Sequence, residues 1–156
     1  MDTFFMKQAL ELAKEAGREG EVPVGCVVTL GDKIVGTGRN RRELGKSALA
    51  HAEIEAIGNA CKNLGGWRLW QCTLYVTLEP CPMCAGAIIN ARIPRVVYGA
   101  SDDKAGSCGT LVNLFDLGYN HKPIVEGGLM AEECGEILTD FFKKLREKRK
   151  KADISK

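Results

Sequence analysis

The chain has 156 residues, 45% of them hydrophobic and 27% charged, with a formal net charge of +2. This composition predicts one globular domain spanning residues 1–156 and excludes a low-complexity chain. Seven cysteines, an odd number without a secretion signal, argue against a disulfide framework. Because no apolar run approaches the length of a membrane span, we expect a cytoplasmic protein without a membrane partner.

The charge is distributed unevenly along the chain. Residues 143–156 contain eight basic and two acidic residues, whereas the preceding residues contain 14 basic and 18 acidic ones. A basic C-terminal helix end of this kind fits a polyanionic partner, but it is equally typical of a solvated, frayed helix.

The hydrophobic pattern predicts helices and strands in alternation. The predicted helices lie at 2–16, 51–61, from 81 to before Pro94, and at 132–150, and the predicted strands at 22–30, 33–38, 74–78, 95–100 and 123–127. Gly31-Asp32 predicts a hairpin turn between the first two strands. The order of elements predicts an α/β/α layered domain around a central mixed sheet of five strands. In the last helix, the apolar stripe through Cys134, Phe141 and Leu145 predicts a core or interface face.

Two cysteines mark the most informative stretch of the sequence. Cys81 and Cys84 lie where a predicted strand turns into a predicted helix. The partial positive charge of a helix N-terminus favours the thiolate, which is the form that binds a metal or acts in redox chemistry. The turn alone therefore fits either zinc or a dithiol.

A histidine at the start of another predicted helix favours zinc. His51 together with Cys81 and Cys84 makes three ligands that zinc accepts, leaving the fourth tetrahedral position for water. Glu53, two residues beyond His51, is positioned to take a proton from that water. Two alternatives stay open: a dithiol redox motif, and a closed structural zinc site with a fourth protein ligand. The candidates for that fourth ligand are Cys26, Cys61, Cys72, Cys108, Cys134 and His121.

His-x-Glu followed by Pro-Cys-x-x-Cys is the signature of zinc-dependent nucleobase deaminases. Over nearly its whole length the chain resembles the bacterial tRNA adenosine deaminases of the cytidine deaminase superfamily. The matching segments are 21–25, Asn40, 51–53, 77–86, 92–100 and 141–146. The aromatic-basic segment 141–146 distinguishes this resemblance from one to deaminases of free cytidine or guanine. Residues 46–50, Lys-Ser-Ala-Leu-Ala, depart from the family's Asp-Pro-Thr/Ser-Ala pattern, and losing the proline could loosen the adjacent loop.

The resemblance implies a cytidine-deaminase-like fold, one zinc ion per chain, and hydrolytic deamination of adenosine to inosine at the wobble position of a tRNA anticodon stem-loop. It implies a homodimer, with Glu53 as the proton-transfer group. The implied purine contacts are Val24, Asn40 and Ala52, and the implied RNA contacts are Asp102, Lys104, Phe142 and Arg146. The alternatives are a deaminase of free nucleobases or nucleosides and, in another class, a non-enzymatic zinc or dithiol module.

Overall fold

The computed structural model describes residues 1–154 and confirms the predicted alternation of helices and strands. The helices are α1 (Asp2–Arg18), α2 (Ala52–Leu64), α3 (Pro82–Ala91) and α4 (Ala131–Ile154), and the strands are β1 (Gly25–Leu30), β2 (Lys33–Arg39), β3 (Cys72–Leu78), β4 (Arg95–Ala100) and β5 (Ile124–Gly127). A 3₁₀ turn at Leu114–Asp116 was not predicted. The last two residues of the basic tail, Ser155 and Lys156, lie outside the described residues.

The five strands form one mixed sheet in the order β2-β1-β3-β4-β5. Strand β1 pairs antiparallel with β2 and with β3, while β3, β4 and β5 run parallel. Parallel neighbours need a crossover connection, and α3 supplies the one between β3 and β4. Strands β2 and β3 are both antiparallel to β1 and so point in the same direction. Helix α2 follows β2 and α3 follows β3, so both helices begin near the same end of the strands.

The sheet is covered on both faces, which gives the predicted three layers. Along β1, Cys26 and Val28 pack with α2 and α3, whereas Val27 points to the other face and packs with α1 and Cys134 of α4. This alternation is the two-residue period of a strand. Both faces of β1 are buried, which explains why the strand is an almost continuous apolar run.

Helix α2 lies unusually close to the sheet. A side chain at Gly36 or Gly38 would collide with the backbone carbonyl of Ala56 or Ala52, respectively. Glycine at these two positions of β2 lets the helix backbone pack directly against the strand. This close packing fixes the distance between the N-terminus of α2 and the sheet.

One expectation from the sequence needs correction. The first strand begins at Gly25 and not at residue 22, because Pro23 has no N–H for a strand ladder and the carbonyls of Val22 and Val24 bond to Asn40. The apolar stripe of α4, to which Ile137, Leu138 and Phe142 also belong, is core at its start: Cys134 is fully buried, and Ile137 and Leu138 pack against the core, whereas Phe142 is 40% exposed. Within residues 1–154, no helix is both long and apolar enough to cross a membrane.

Candidate active site

Two helix N-termini meet beyond the end of β3. His51 is the N-cap residue of α2, and Cys81 is the N-cap residue of α3, with Pro82 at its first helical position. Proline is favoured there because the first N–H of a helix has no intrahelical partner. Cys84 follows one turn into α3 and is completely buried. The strand-to-helix turn predicted for the two cysteines is confirmed.

His51, Cys81 and Cys84 converge on one point. The Nδ1 atom of His51 lies 3.5 Å from the Sγ atom of Cys81 and 3.5 Å from that of Cys84. All three candidate ligand atoms lie within 4.8 Å of one another. Around a tetrahedral zinc ion, Zn–S and Zn–N bonds of about 2.3 and 2.0–2.1 Å place sulfur and nitrogen about 3.6 Å apart. The three side chains thus have the spacing that a tetrahedral ion requires.

The three groups perturb one another's protonation. The pKa of the Cys81 thiol is lowered to about 4, chiefly by a hydrogen bond with Cys84 and further by a hydrogen bond with His51. For the Cys84 thiol, the contact with Cys81, followed by burial, raises the pKa. The Cys81 contact also raises the pKa of His51. Binding of a metal replaces these shared protons, since thiolate and neutral imidazole are the coordinating forms.

Glu53 lies in the first turn of α2, beside the sulfur atoms. It is only 4% exposed, and burial raises the pKa of its carboxyl to about 7. A carboxyl group whose pKa lies near neutrality can both accept and return a proton at physiological pH. Glu53 therefore has the properties of a general acid–base group.

His51, Glu53 and Cys81 lie in the wall of one pocket of about 440 Å³. Every residue predicted to contact the purine, namely Val24, Asn40 and Ala52, lines this pocket together with His51, Glu53 and Cys81. The volume lies within the range of small-molecule sites.

The side chain of Asn40 also makes two hydrogen bonds to the backbone around the pocket. Its Nδ2 donates to the carbonyl of Val22, and its Oδ1 accepts from the backbone N–H of Arg42. The amide group is thereby locked in orientation. The amide can make two further hydrogen bonds to a ligand, one through its second N–H and one through the second lone pair of its oxygen.

The residues predicted to bind RNA divide into two groups. Asp102 lines the pocket, while Lys104, Phe142 and Arg146 are exposed and do not line it. Phe142 packs edge-on against Phe141, with ring centroids 5.4 Å apart. The exposed positions of Phe142 and Arg146 next to the pocket leave them accessible to a large ligand.

Helix α4 contributes a pocket wall that the sequence analysis missed. Phe141, Leu145 and Arg149 line the pocket, and their spacing of four residues places them on one helix face. The apolar stripe predicts only a core or interface face. Its continuation to a cation, Arg149, was the available signal that this end faces a polar site.

Two buried carboxylates hold the loops at the pocket rim. Glu21 accepts from the backbone N–H groups of Glu43 and Leu44, at 3.0 and 2.8 Å. Glu79 accepts from the loop that follows β4. Burial opposes ionisation of Glu79, but the bonds from Thr110 and from backbone N–H groups outweigh it and lower the pKa of this carboxyl.

Loop 41–50, which contains the departure from the family pattern, is closed by its own hydrogen bonds. The N–H of Arg41 donates to the carbonyl of Ala50, and the Arg41 guanidinium pairs with Glu55 of α2 at 2.7 Å. The loop is therefore tied to the helix that starts at the candidate metal site.

The closed four-ligand alternative finds no support in residues 1–154. The group of side chains that could hold a metal ion there consists of His51, Cys81 and Cys84, without a further cysteine or histidine. The Nε2 atom of His121 instead contacts the carbonyl of Ile93 at 2.7 Å. A buried carboxylate, Glu53, lies beside the cluster, as a hydrolytic site requires.

Comparisons with known proteins agree with this geometry. Residues 2–146 match the model of the MafB19-like deaminase family. The chain is 49% identical over 152 residues to the tRNA-specific adenosine deaminase of Bacillus subtilis (strain 168), covering 97% of this chain and 94% of that protein.

Two solved structures are also similar. One, from work on A-to-I editing by tRNA:A34 deaminases at the wobble position of transfer RNA, has a TM-score of 0.85 and 45% identity, covering 87% of this chain and 99% of that one. The guanine deaminase of Bacillus subtilis has a TM-score of 0.62 and 40% identity, covering 69% of each chain.

Proposed function

Since this chain belongs to the family of tRNA-specific adenosine deaminases, we propose that it deaminates adenosine to inosine at the wobble position of a tRNA anticodon. The observation that carries the proposal is the composition of the pocket. Two of the three candidate ligands, His51 and Cys81, line the pocket together with Glu53, and the C-terminal half of α4, whose end is basic, forms another part of its wall. A site for hydrolysis thus opens next to a cationic surface suited to a polyanion.

We propose that His51, Cys81 and Cys84 bind one zinc ion per chain. Their spacing and ligand types fit tetrahedral zinc, with one coordination position left for a water molecule. When bound, zinc supplies Lewis acidity that lowers the pKa of water to about 7. The N-termini of α2 and α3 favour the thiolates that the ion needs.

Glu53 is the group that moves protons. It takes one proton from water and donates it to N1 of the purine as the remaining hydroxide oxygen adds at C6. It then takes the proton of the new C6 hydroxyl and passes it to the amino group, so that the C6–N bond breaks, ammonia leaves and the C6 carbonyl of inosine forms. Burial supports this sequence, because it raises the pKa of the carboxyl to about 7 and so lets both forms exist near neutral pH.

The substrate and RNA contacts extend from this centre. Val24 packs on the purine, Asn40 hydrogen-bonds to the purine or ribose, and the Ala52 backbone contacts the base. Asp102 and Lys104 engage the anticodon loop, while Phe142 and Arg146 contact the flanking nucleotides. In support, these residues lie in the pocket wall, in the rim loop after β4, or on the exposed side of α4. Bases of an anticodon loop are already unpaired, so no duplex has to be opened.

A substrate panel tests the proposal. Ammonia release is measured with a tRNA anticodon stem-loop, free adenosine, cytosine and guanine as separate substrates. We expect turnover of the stem-loop and little turnover of the small molecules. Turnover of guanine without the stem-loop would favour the alternative suggested by the similarity to guanine deaminase. No ammonia from any substrate would favour a non-enzymatic zinc or dithiol module.

The basic end of α4 is expected to bind phosphates. Replacing Arg146 and Arg149 together by alanine should weaken stem-loop binding and flatten its salt dependence. The slope of log K against log salt should fall by about 0.7 for each lost single-strand phosphate contact, because fewer counterions are released. Fluorescence anisotropy across a salt series measures this slope.

Lys33→Ala is the matched control for that experiment. Lys33 is an exposed cation at the β1–β2 turn, beside the start of β3 and thus at the end of the sheet away from the pocket. It should leave the slope unchanged. Parallel salt curves for the double variant and the native protein would show that the tail is only a solvated helix end.

We also propose a cytoplasmic homodimer. Leu117 and Tyr119 are more than half exposed, and a groove of about 390 Å³ lies between α3 and the segment that contains Leu114 and Tyr119. An exposed apolar surface of this kind supports an interface between chains. Light scattering that gives the mass of one chain would contradict the dimer.

A further inference from the structure

Glu79 is a buried carboxylate with no part in the chemistry described above. It immediately follows β3, lies two residues before Cys81, and is only 2% exposed. Its Oε1 accepts from the N–H of Asp102 at 3.2 Å and from the Thr110 hydroxyl. Its Oε2 accepts from the N–H groups of Cys108 and Thr110, at 3.0 and 3.1 Å. A single side chain thus binds both ends of the loop at 101–110.

The loop is wrapped closely around this carboxylate. A Cβ atom at Gly106 would lie 2.6 Å from Oε1 of Glu79, so glycine is required for the approach. The backbone of Ser107 also donates to the carbonyl of Pro80 at 2.9 Å, which ties the loop to the turn before Cys81. Within the loop, Asp102 Oδ1 accepts from the N–H of Lys104 at 3.0 Å.

We propose that Glu79 is a positioning residue that holds loop 101–110 in its RNA-binding conformation at the pocket rim. The inference deepens the proposed function and rests on it, because Asp102 and Lys104 are the RNA contacts that this loop carries. Glu79 also lines the pocket, but both of its carboxylate oxygens are already occupied by hydrogen bonds from the loop. Its effect on the reaction passes through the placement of the loop.

The geometry explains why the charged form of the side chain is needed. Each carboxylate oxygen faces at least one backbone N–H, and a backbone N–H can only donate. In Glu79→Gln, the amide NH₂ would replace one of these oxygens in either orientation of the side chain. At least one buried N–H would then face another donor and lose its partner.

Glu79→Gln in the zinc-loaded protein tests the proposal by two independent measurements. We expect amide hydrogen exchange at Asp102, Cys108 and Thr110 to accelerate by about tenfold or more, because the loop opens more easily. We expect KM for the anticodon stem-loop to rise by about tenfold while kcat changes much less, because the catalytic centre lies on α2 and α3. Zinc content should stay at the native value.

Three variants provide comparisons. Thr110→Val removes only the hydroxyl bond to Glu79 and should give smaller changes of the same kind, which keeps the test valid if Glu79→Gln folds poorly. Glu21→Gln should accelerate exchange at Glu43 and Leu44 but not at Cys108 or Thr110, since it holds the opposite rim loop. Glu136→Gln, an exposed position on α4, should change neither measurement.

Several outcomes would overturn the proposal. Native exchange at Cys108 and Thr110 together with a native KM would show that the loop does not depend on Glu79. A fall in kcat with unchanged KM, or loss of zinc, would mean that Glu79 acts on the turn at Cys81 instead. Equal acceleration at both rim loops would indicate general loosening. If the native protein itself did not deaminate the stem-loop, the proposed function would fail while the exchange result still reported on the loop.

Discussion

Replacing Glu53 by glutamine is expected to reduce kcat by about 10⁴-fold, the upper end of the range for general acid–base catalysis. The reason is that this one carboxyl serves every proton transfer in the proposed mechanism. Glutamine has nearly the same shape but cannot exchange a proton. Zinc content should remain at the native value, because the proposed metal ligands His51, Cys81 and Cys84 are unchanged. Single-turnover assays with the stem-loop, combined with metal analysis, measure both quantities.

Although Glu53→Gln should reduce kcat, it is expected to stabilise the metal-free protein at high pH. In the metal-free protein, burial raises the pKa of Glu53 from 4.5 to about 7. The unfolded chain therefore releases this proton at lower pH than the folded chain, and the folded state loses stability as pH rises through this interval. Glutamine stays neutral, so the metal-free variant should be more stable than the native protein at pH 8, by about 1–3 kcal/mol.

Denaturant unfolding at pH 5 and pH 8 tests this expectation. The advantage of the variant should be small at pH 5 and larger at pH 8. A variant that is less stable at both values would contradict the desolvation of Glu53. Native turnover by Glu53→Gln would separately show that another group transfers the protons.

Replacing Cys81 or Cys84 by serine is expected to remove zinc and, with it, deaminase activity. Each sulfur lies 3.5 Å from Nδ1 of His51, so each forms one corner of the proposed coordination. A serine hydroxyl is a poor ligand for zinc compared with a thiolate. Loss of outer-shell partners already weakens metal binding by about 10–100-fold, and loss of a direct ligand should exceed that.

Cys61→Ser is the matched control. Cys61 is a half-buried cysteine on α2 whose Sγ contacts the backbone carbonyl of Trp67, away from the three ligands. This variant should retain zinc and activity. Chelation should inactivate the native protein reversibly, with activity restored by zinc. A Cys81→Ser protein that kept both zinc and turnover would refute the assigned coordination.

The order of elements and the chemistry at each helix start could be predicted from the sequence. Glycine and proline mark the ends of α2 and α3, and the period of apolar residues separates helices from strands. Residue types at these ends also indicated the candidate zinc ligands, because Cys81 and Cys84 share one helical turn. These features depend on neighbours within a few residues, so the local sequence encodes them.

The convergence of distant groups depended on the tertiary structure. His51 reaches Cys81 because α2 packs against glycines of β2 while α3 crosses from β3, an arrangement set by sheet order. The position of Arg149 in the pocket wall and the hydrogen bonds between Glu79 and its loop also depend on the tertiary structure.

The period of apolar residues indicates which face of a helix or strand is buried, but it does not indicate which other element covers that face. A stripe on α4 therefore has the same sequence pattern whether it meets core, partner or substrate. A buried glutamate also cannot be distinguished by sequence from a solvated one, because its partners are backbone N–H groups of a loop more than 20 residues away. Packing between elements, and not local propensity, decided how this catalytic centre was assembled.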